Sequence, residues 1–144
     1  MSLEENKALV RRFVEEGFGQ GNLGVIDEVL APDYVEHNAP PGFDQGIAGV
    51  RQALPMFRSA FPDIQITYER QIAEGDWVAG HYTLRGTHQG AFMGLPPTGR
   101  RVVVRGMDLI RCANGKIVER WYVDDSLGMM QQLGAIPAPA GAPA

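Results

Sequence analysis

The chain has 144 residues, of which 44% are hydrophobic and 21% are charged, and its formal net charge is −4. This length and hydrophobic content are typical of one domain with its own core, and an acidic chain without a basic cluster is not expected to bind nucleic acid. The single cysteine, Cys112, excludes an intrachain disulfide and a cysteine-rich zinc site.

The first residues carry acids instead of the basic and then apolar pattern of a signal peptide. No run approaches the roughly 20 apolar residues that are needed to span a bilayer. A lone cysteine also fits a reducing compartment. We therefore expect a cytoplasmic protein with no membrane partner.

Helical spacing dominates the first sixty residues. Apolar residues three and four apart predict a first helix ending at GFGQGN, a second ending before Pro32, and a third ending before Pro62 with Pro55 as a kink site. Between the second and third helices, the segment DYVEHN is predicted to be extended, and a loop rich in Pro and Gly follows it.

The apolar period then changes from about four to two. Residues 63–88 predict two strands joined by a turn at EGD, and residues 100–125 predict two more around ANGK, where Asn-Gly is a strong hairpin signal. The segment QGAFMGLPPTG between the two pairs is a loop. The segment SLGMMQQLG is a terminal helix or a single turn.

Helices followed by a four-strand meander, with one short strand between them, predict an α+β fold with a curved antiparallel sheet and the helices on one face. A sheet wrapped around helices in this way makes a cone, and its mouth is a natural apolar pocket. We predict a single domain over residues 1–134, with the Pro/Ala-rich residues 135–144 as a flexible tail.

Four segments, in this order and spacing, are similar to a known family: DYVEHNAPPG, GTHQGAFMGLPPTGR, RGMDLIRCANGKIVERW and DDSLGMMQQLG. Together they resemble the SnoaL-like polyketide cyclases, also called ester cyclases, of the NTF2-like superfamily of cone-shaped α+β barrels. The resemblance covers the chain from the first helix to Gly134. It implies an intramolecular aldol condensation on a small hydrophobic carbonyl compound, with no metal, no organic cofactor and a homodimeric assembly.

The resemblance also implies functional positions. The family places a general acid/base aspartate four residues after a tryptophan, which here are Asp125 and Trp121. A His or Asn in the segment Y-x-x-H-N corresponds to His37 and Asn38. A further polar residue, histidine in characterised cyclases, corresponds to Asp108, which departs from that pattern.

The residues around Asp125 support two interpretations. On a strand, Glu119, Trp121, Val123 and Asp125 share one face, and Asp124 lies on the other. An Asp125 carboxylate beside Trp121 in an apolar cone would have a raised pKa, as proton abstraction alpha to a carbonyl requires. The alternative is that Asp125 or Asp124 only caps the final helix.

Asp108 lies in an otherwise apolar strand, and a buried carboxylate needs a partner. It either reaches the pocket, as a second catalytic group with Asp125, or pairs with a base such as Arg105, Arg85 or His81. His37 is a second candidate for a proton shuttle or a hydrogen-bond donor to a carbonyl.

Further candidate substrate contacts lie on strands and loops. They are His81 and His88, which strict alternation sends to opposite faces, and Phe43 and Met93, which would wall the mouth of the pocket. Each histidine taken alone fits a structural or surface role better than a catalytic one. No H-x-H, H-x-D or H-E-x-x-H spacing is present, so we predict no metal site.

Two functions remain open from the sequence. The first is a cofactor-independent cyclase, with isomerases, dehydrating lyases and epoxide hydrolases as chemical neighbours, because each needs a carboxylate in an apolar cone. The second is a non-catalytic module of the same fold that binds a small ligand or mediates dimerisation. The position of Asp125 relative to the pocket separates them.

Overall fold

The computed structural model describes residues 2–137, in which helices cover one face of a curved, open, five-stranded sheet. The elements in chain order are α1 (Leu3–Arg11), a π-helical segment (Arg12–Gly19), α2 (Leu23–Val29), β1 (Leu30–Glu36), α3 (Ile47–Ala60), β2 (Gln65–Glu74), β3 (Trp77–Thr87), β4 (Arg101–Ala113), β5 (Lys116–Asp124) and α4 (Ser126–Leu133). The predicted α+β class is confirmed. Most of the predicted tail, residues 138–144, lies outside the described residues.

The helices begin and end where the local sequence dictates. Ser2 and Glu5 form a reciprocal capping box at the start of α1, which satisfies amide groups that lack partners within the helix. Beyond Arg11 the predicted first helix continues as the π-helical segment instead of as an α-helix. The third helix continues through Pro55 to Ala60.

The sheet has the strand order β1-β5-β4-β3-β2. The four-strand meander is antiparallel, as predicted, and β1 adds to its edge parallel to β5. The β4–β5 turn is formed by Asn114 and Gly115, whose φ angles of 51° and 76° are those a tight hairpin turn needs. The ANGK hairpin is therefore confirmed.

The core lies between the inner face of the sheet and the helices. One cluster joins α1, the π-helical segment and α2 to β3, β4 and β5, with Phe13, Ile26, Ile110 and Ile117 fully buried. A second cluster packs Phe61, Val102 and Leu133 below the loop after β3. Among the described residues, no helix is both long and apolar enough to cross a membrane.

A β-bulge in β5 determines which side chains face the helices. Cys112 of β4 is paired with Ile117, whereas Arg111 is paired with Glu119, so Val118 is an extra residue in β5. Ile117 points into the core, and the inserted residue makes Arg120 the next inward side chain. Tyr122 and Asp124 then follow Arg120 on the inner face.

Candidate active site

An apolar cavity opens between the inner face of the sheet, α3 and the loop after β1. The space between its walls is about 760 Å³ when the open mouth is included, and an apolar cleft with a few polar groups is the usual form of a small-molecule site. Its walls are mainly apolar, and include Val14, Phe18, Pro40, Phe43, Val50, Phe57, Ile66 and Leu84. Its polar lining comes from Glu36, Asp44, Tyr82, Arg120, Tyr122 and Asp124.

Arg120 is the centre of a buried ionic network on one wall of this cavity. Its Nη1 lies 3.3 Å from Glu36 Oε2, and its Nη2 lies 3.5 Å from Asp108 Oδ2. The guanidinium carbon lies 4.4 Å from the centre of the Tyr122 ring. Because Glu36 and Arg120 are paired residues of β1 and β5, the network joins the edge strand to the meander.

Two tyrosines also belong to this network, because each donates a hydrogen bond to one of its carboxylates. Tyr34 donates a hydrogen bond to Glu36 Oε2 at 2.7 Å, and Tyr68 donates one to Asp108 Oδ2. The Tyr68 ring crosses Gly80, where a Cβ would come within 2.3 Å of the ring. The missing side chain of Gly80 therefore lets Tyr68 reach Asp108.

Burial and charge together set the protonation of this network. Burial raises the pKa of the Asp108 carboxyl, and the nearby Arg120 opposes that shift. Burial by itself lowers the pKa of Arg120, but the carboxylates of Glu36 and Asp108 raise it well above its usual value. Arg120 is therefore a permanent cation inside the protein.

Asp124 and Tyr82 form a second polar group nearer the mouth. Asp124 is exposed, lines the cavity, and accepts a hydrogen bond at Oδ1 from Ser126 Oγ at 2.7 Å. It is paired across the sheet with Gly106, and a Cβ on Gly106 would lie 2.4 Å from the Tyr82 hydroxyl oxygen. The Tyr82 ring therefore crosses Gly106 towards Asp124.

The phenols in this cavity remain protonated over the physiological range. Burial raises the pKa of Tyr82, and the carboxylate of Asp124 adds to that rise. Burial likewise raises the pKa of Tyr122. Both hydroxyls are therefore available to donate hydrogen bonds to a bound carbonyl.

The predicted position of Asp125 in the cavity is wrong. Asp125 is exposed and caps α4, because its Oδ1 accepts a hydrogen bond of 2.9 Å from the amide of Gly128. Asp125 lies beyond the end of β5, whereas Asp124 is the last residue of that strand and lines the cavity. Asp124 is thus the cavity carboxylate, and the capping alternative applies to Asp125.

Three other predicted site residues, Trp121, His37 and Asn38, also lie outside the cavity. Trp121 is 38% exposed on the outer face of the sheet, where the His37 ring stacks on it with a centroid distance of 3.9 Å. His37 also lies 3.5 Å from Glu119 Oε2. Asn38 accepts a hydrogen bond from the amide of Tyr122 and so fixes the loop after β1.

Of the other predicted contacts, only Phe43 lines the cavity. His81 lies on the outer face of β3, opposite Met107, and Met93 is 77% exposed at the tip of its loop. His88 is fully buried away from the cavity, where Nδ1 accepts a hydrogen bond from the amide of Thr98. Its role is to hold the loop that follows β3.

Asp108 is buried, as predicted for a carboxylate that pairs with a base. The partner is Arg120 and none of Arg105, Arg85 or His81. Asp108 is not among the residues that line the cavity, so its contact with the site is indirect, through Arg120 and through Tyr68, which packs against Tyr82.

Sequence analysis missed Arg120, Glu36 and Tyr82 as site residues. Arg120 and Glu36 lie within the segments ERW and YVEHN, directly beside the motif residues Trp121 and His37. The available signal was the inward alternation of β3, in which Tyr82 and Leu84 face the helices. Among residues 2–137, no three His, Cys, Asp or Glu side chains are close enough together to hold a metal ion.

Known proteins resemble this chain over most of its length. A family model described as SnoaL-like polyketide cyclase matches residues 8–133. A nogalonic acid methyl ester cyclase from Streptomyces nogalater is 32% identical, over 81% of this chain and 89% of its own. The aklanonic acid methyl ester cyclase DnrD from Streptomyces peucetius is 34% identical, over 92% of this chain and 94% of its own.

Solved structures show the same architecture. TsrD from Streptomyces laurentii superimposes with a TM-score of 0.86 at 29% identity, covering 94% of this chain and 99% of its own. The predicted NTF2-like arrangement of helices on a curved sheet is thereby confirmed.

We expect Arg120→Met to lower the free energy of unfolding by about 3–5 kcal/mol at pH 7, because it leaves Glu36 and Asp108 buried without a countercharge. In the variant, burial holds the pKa of the Asp108 carboxyl above its unfolded value without opposition from Arg120, so the loss is complete at neutral pH and shrinks as the pH falls and Asp108 takes up a proton. Urea unfolding between pH 4 and 8 measures this.

The matched control for that variant removes all three charges, as Glu36→Gln, Asp108→Asn and Arg120→Met together. This neutral variant should recover most of the lost stability at pH 7. If the Arg120→Met protein were as stable as the wild type at pH 7, the conclusion that Arg120 stabilises the two buried carboxylates would be wrong.

Proposed function

The chain belongs to the SnoaL-like polyketide cyclase family, and from that premise we propose that it closes a ring in a neutral polyketide methyl ester by an intramolecular aldol reaction. The position of Asp125 outside the cavity does not support an enzyme by itself, but the relatives are named cyclases, so the chain is an enzyme with polyketide cyclase-like activity in preference to a non-catalytic binding module. The observation that supports the proposed chemistry best is the pair Asp124 and Tyr82 on the wall of an apolar cavity.

Asp124 is the proposed general base. Of the carboxylates that line the cavity, Glu36 is engaged with Arg120, whereas Asp44 and Asp124 are exposed, and Asp124 is the one towards which the Tyr82 ring lies. It would take a proton from a carbon next to a substrate carbonyl. The Tyr82 hydroxyl would donate a hydrogen bond to the carbonyl oxygen as that oxygen gains negative charge.

The remaining steps need no group beyond the substrate and these side chains. The enolate carbon attacks a second carbonyl carbon of the same molecule, which forms the new C–C bond and places the negative charge on that carbonyl's oxygen. Protonated Asp124 then returns its proton to this alkoxide. The product is an isomer of the substrate, and loss of water from it would be a separate dehydration.

The charge of the cavity favours an uncharged substrate. Of the lining residues that the structure describes, Glu36, Asp44 and Asp124 are carboxylates and Arg120 is the basic one, already paired with Glu36 and Asp108. A free carboxylate on the substrate would meet excess negative charge, and methylation removes its charge. This is consistent with relatives named as methyl ester cyclases.

Asp124→Asn should lower kcat by on the order of 10²–10⁴, the usual contribution of a general base. Asp125→Asn is the matched control, because asparagine also caps helices, and it should keep kcat within about threefold. Turnover is followed by the loss of aklanonic acid methyl ester, the compound from which a relative takes its name.

The opposite pattern, with Asp125→Asn inactive and Asp124→Asn active, would overturn the assignment and return the base to Asp125. Tyr82→Phe in the same assay should reduce kcat more than it changes KM, because the hydrogen bond strengthens as the enolate forms. Circular dichroism of each variant separates loss of chemistry from loss of fold.

The free acid should be a poorer substrate than its methyl ester, with kcat/KM lower by at least about tenfold. Two unit charges about 8 Å apart at an effective dielectric constant of about 20 repel by about 2 kcal/mol. Asp44→Asn removes one negative charge from the lining of the cavity. This variant should reduce the difference in kcat/KM between the acid and the ester. Equal kcat/KM values for acid and ester in the wild type would contradict the charge argument.

We also propose that the chain forms a homodimer through the outer face of its sheet. Apolar side chains are exposed together there on adjacent strands, with Met107 at 57%, Val123 at 69% and Leu109 at 41% exposure beside Trp121. An apolar face shared by neighbouring strands is typical of an interface. A second copy, turned about a twofold axis, would cover the same face of its partner.

The double variant Met107→Glu and Val123→Glu should convert the dimer to a monomer, because it places charges in the interface. Leu3→Glu, on the exposed side of α1, is the control and should leave the assembly unchanged. Light scattering coupled to size exclusion gives the molar mass. A wild-type protein that is monomeric at micromolar concentration would rule out this assembly.

A cytoplasmic location is part of the same proposal. Cys112 is buried and is the one cysteine of the chain, so folding does not require an oxidising compartment. Recovery of the native protein from the membrane or secreted fraction of its host would exclude this location.

A further inference from the structure

The loop after β1 connects the outer face of the sheet to the cavity. This loop, residues 37–46, is called the mouth loop below; it follows the end of β1 and precedes α3. Its first two residues, His37 and Asn38, lie outside the cavity. The residues that follow them line the cavity, and these are Ala39, Pro40, Phe43 and Asp44. One short segment therefore contacts the outer face of the sheet and also forms part of the cavity wall.

The Asn38 side chain ends β1 by taking the place of a main-chain acceptor. The amide of His37 donates to the carbonyl of Arg120 at 2.9 Å, which continues the parallel pairing of β1 with β5. If the strand continued, the amide of Tyr122 would donate to the carbonyl of His37, but it donates to Asn38 Oδ1 at 2.9 Å instead. The amide of β5 is thus satisfied while the chain leaves the sheet. Asn38 therefore fixes the point at which the chain turns towards the cavity.

The His37 ring holds the same turn against the outer face. It stacks on the Trp121 indole with ring centroids 3.9 Å apart and ring planes 9° apart. Its Nε2 also lies 3.5 Å from Glu119 Oε2. The Trp121 ring in turn lies beside Trp77, at a centroid distance of 5.8 Å. Because aromatic contacts favour particular ring geometries, the stack fixes His37 relative to β5.

The rest of the mouth loop is held together by its own hydrogen bonds. Residues 40–43 form a turn in which the amide of the last residue donates to the carbonyl of the first at 3.0 Å. Pro41 followed by Gly42 with a φ of 88° is the arrangement of a type II turn. The amide of Glu36 donates to the carbonyl of Gln45 at 2.6 Å, so the two ends of the loop are joined. The position of the loop over the cavity therefore depends on how its first two residues are fixed.

We propose that His37, Asn38 and Trp121 are positioning residues of the site, and we name these three the outer clamp. From the outer face they hold the mouth loop where Pro40 and Phe43 wall the cavity. A ligand that meets a wall already in place does not have to order it, whereas without the clamp only a fraction of the molecules would present that wall. The clamp therefore sets ligand affinity although its side chains lie outside the cavity. The inference rests on the proposed function only in treating the cavity as the substrate site.

Amide hydrogen exchange tests the outer clamp without a ligand. Asn38→Ala removes the acceptor of the Tyr122 amide, and His37→Ala removes the stacked ring. Each variant should speed exchange of the Phe43 and Glu36 amides, which are bonded within the loop, by at least about tenfold. Exchange in β3 should stay unchanged. Nuclear magnetic resonance resolves the individual amides, and unchanged loop amides or equal acceleration throughout β3 would overturn the proposal.

Ligand affinity tests the consequence of the clamp. The probe is N-phenyl-1-naphthylamine, an uncharged aromatic amine whose fluorescence rises in apolar surroundings. The signal that Ala53→Trp abolishes by filling the cavity defines the part due to cavity binding. Asn38→Ala and His37→Ala should each raise the Kd of this part about threefold to tenfold.

Conservative variants separate the clamp from a general loss of structure. Asn38→Asp keeps an acceptor for the Tyr122 amide, and His37→Phe keeps a ring on Trp121. Both should bind the probe within about twofold of the wild type. Alanine variants that bind like the wild type, or conservative variants as weak as the alanine variants, would contradict the clamp. If Ala53→Trp does not fold, the exchange rates decide alone.

Failure of the clamp and failure of the cyclase proposal give different results. With aklanonic acid methyl ester, His37→Ala and Asn38→Ala should raise KM about threefold to tenfold and change kcat less than threefold, because the reacting groups are intact. Asp124→Asn should lose turnover and keep wild-type exchange in the mouth loop. A wild-type protein that cyclises the ester, with clamp variants unchanged in exchange and Kd, would refute the clamp alone. The expected changes in exchange and Kd without any cyclisation by the wild type would refute the cyclase proposal alone.

Discussion

The structure depends on one buried cation, the guanidinium of Arg120, and on the carboxylates that surround it. Charges removed from water must be paired, so Arg120 ties Glu36 of β1 and Asp108 of β4 to β5. The tyrosines that donate to those carboxylates come from β1 and β2. A single ionic network therefore connects four of the five strands.

This network divides the cavity into two regions with different chemical properties. On one wall, Glu36 and Arg120 are held by their ion pair, and the Tyr122 ring lies against the guanidinium. Near the mouth, Asp124 is accessible and lies towards a protonated phenol, which suits proton transfer. The glycines of β3 and β4 make both regions possible, because Gly80 and Gly106 leave space for the rings of Tyr68 and Tyr82.

Much of the fold and only part of the site could be predicted from the sequence. The helical periods, the Asn114–Gly115 turn and the meander are local signals, and each is present in the structure. Phe43 was placed correctly at the pocket. Trp121 was expected inside because it shares a strand face with Asp125 and belongs to the family motif, yet it lies on the outer face under the His37 ring. Arg120 occupies the buried position instead. The free-energy cost of burying its charge is offset by Glu36 and Asp108, which are distant from it in sequence.

By itself, the sequence determined the α+β class and the family, because these follow from local periodicity and from motif spacing. Only the tertiary structure decided which face is the inner one. The extra residue at Val118 shifts the alternation of β5, so Ile117 and Arg120 both point inward. A bulge of this kind is defined by pairing with β4, and the ion pairs that it allows join residues up to 84 positions apart. Neither the bulge nor these ion pairs can be predicted from the local sequence pattern. For this reason only the structure shows that Asp124 lines the cavity and that Asp125 caps α4.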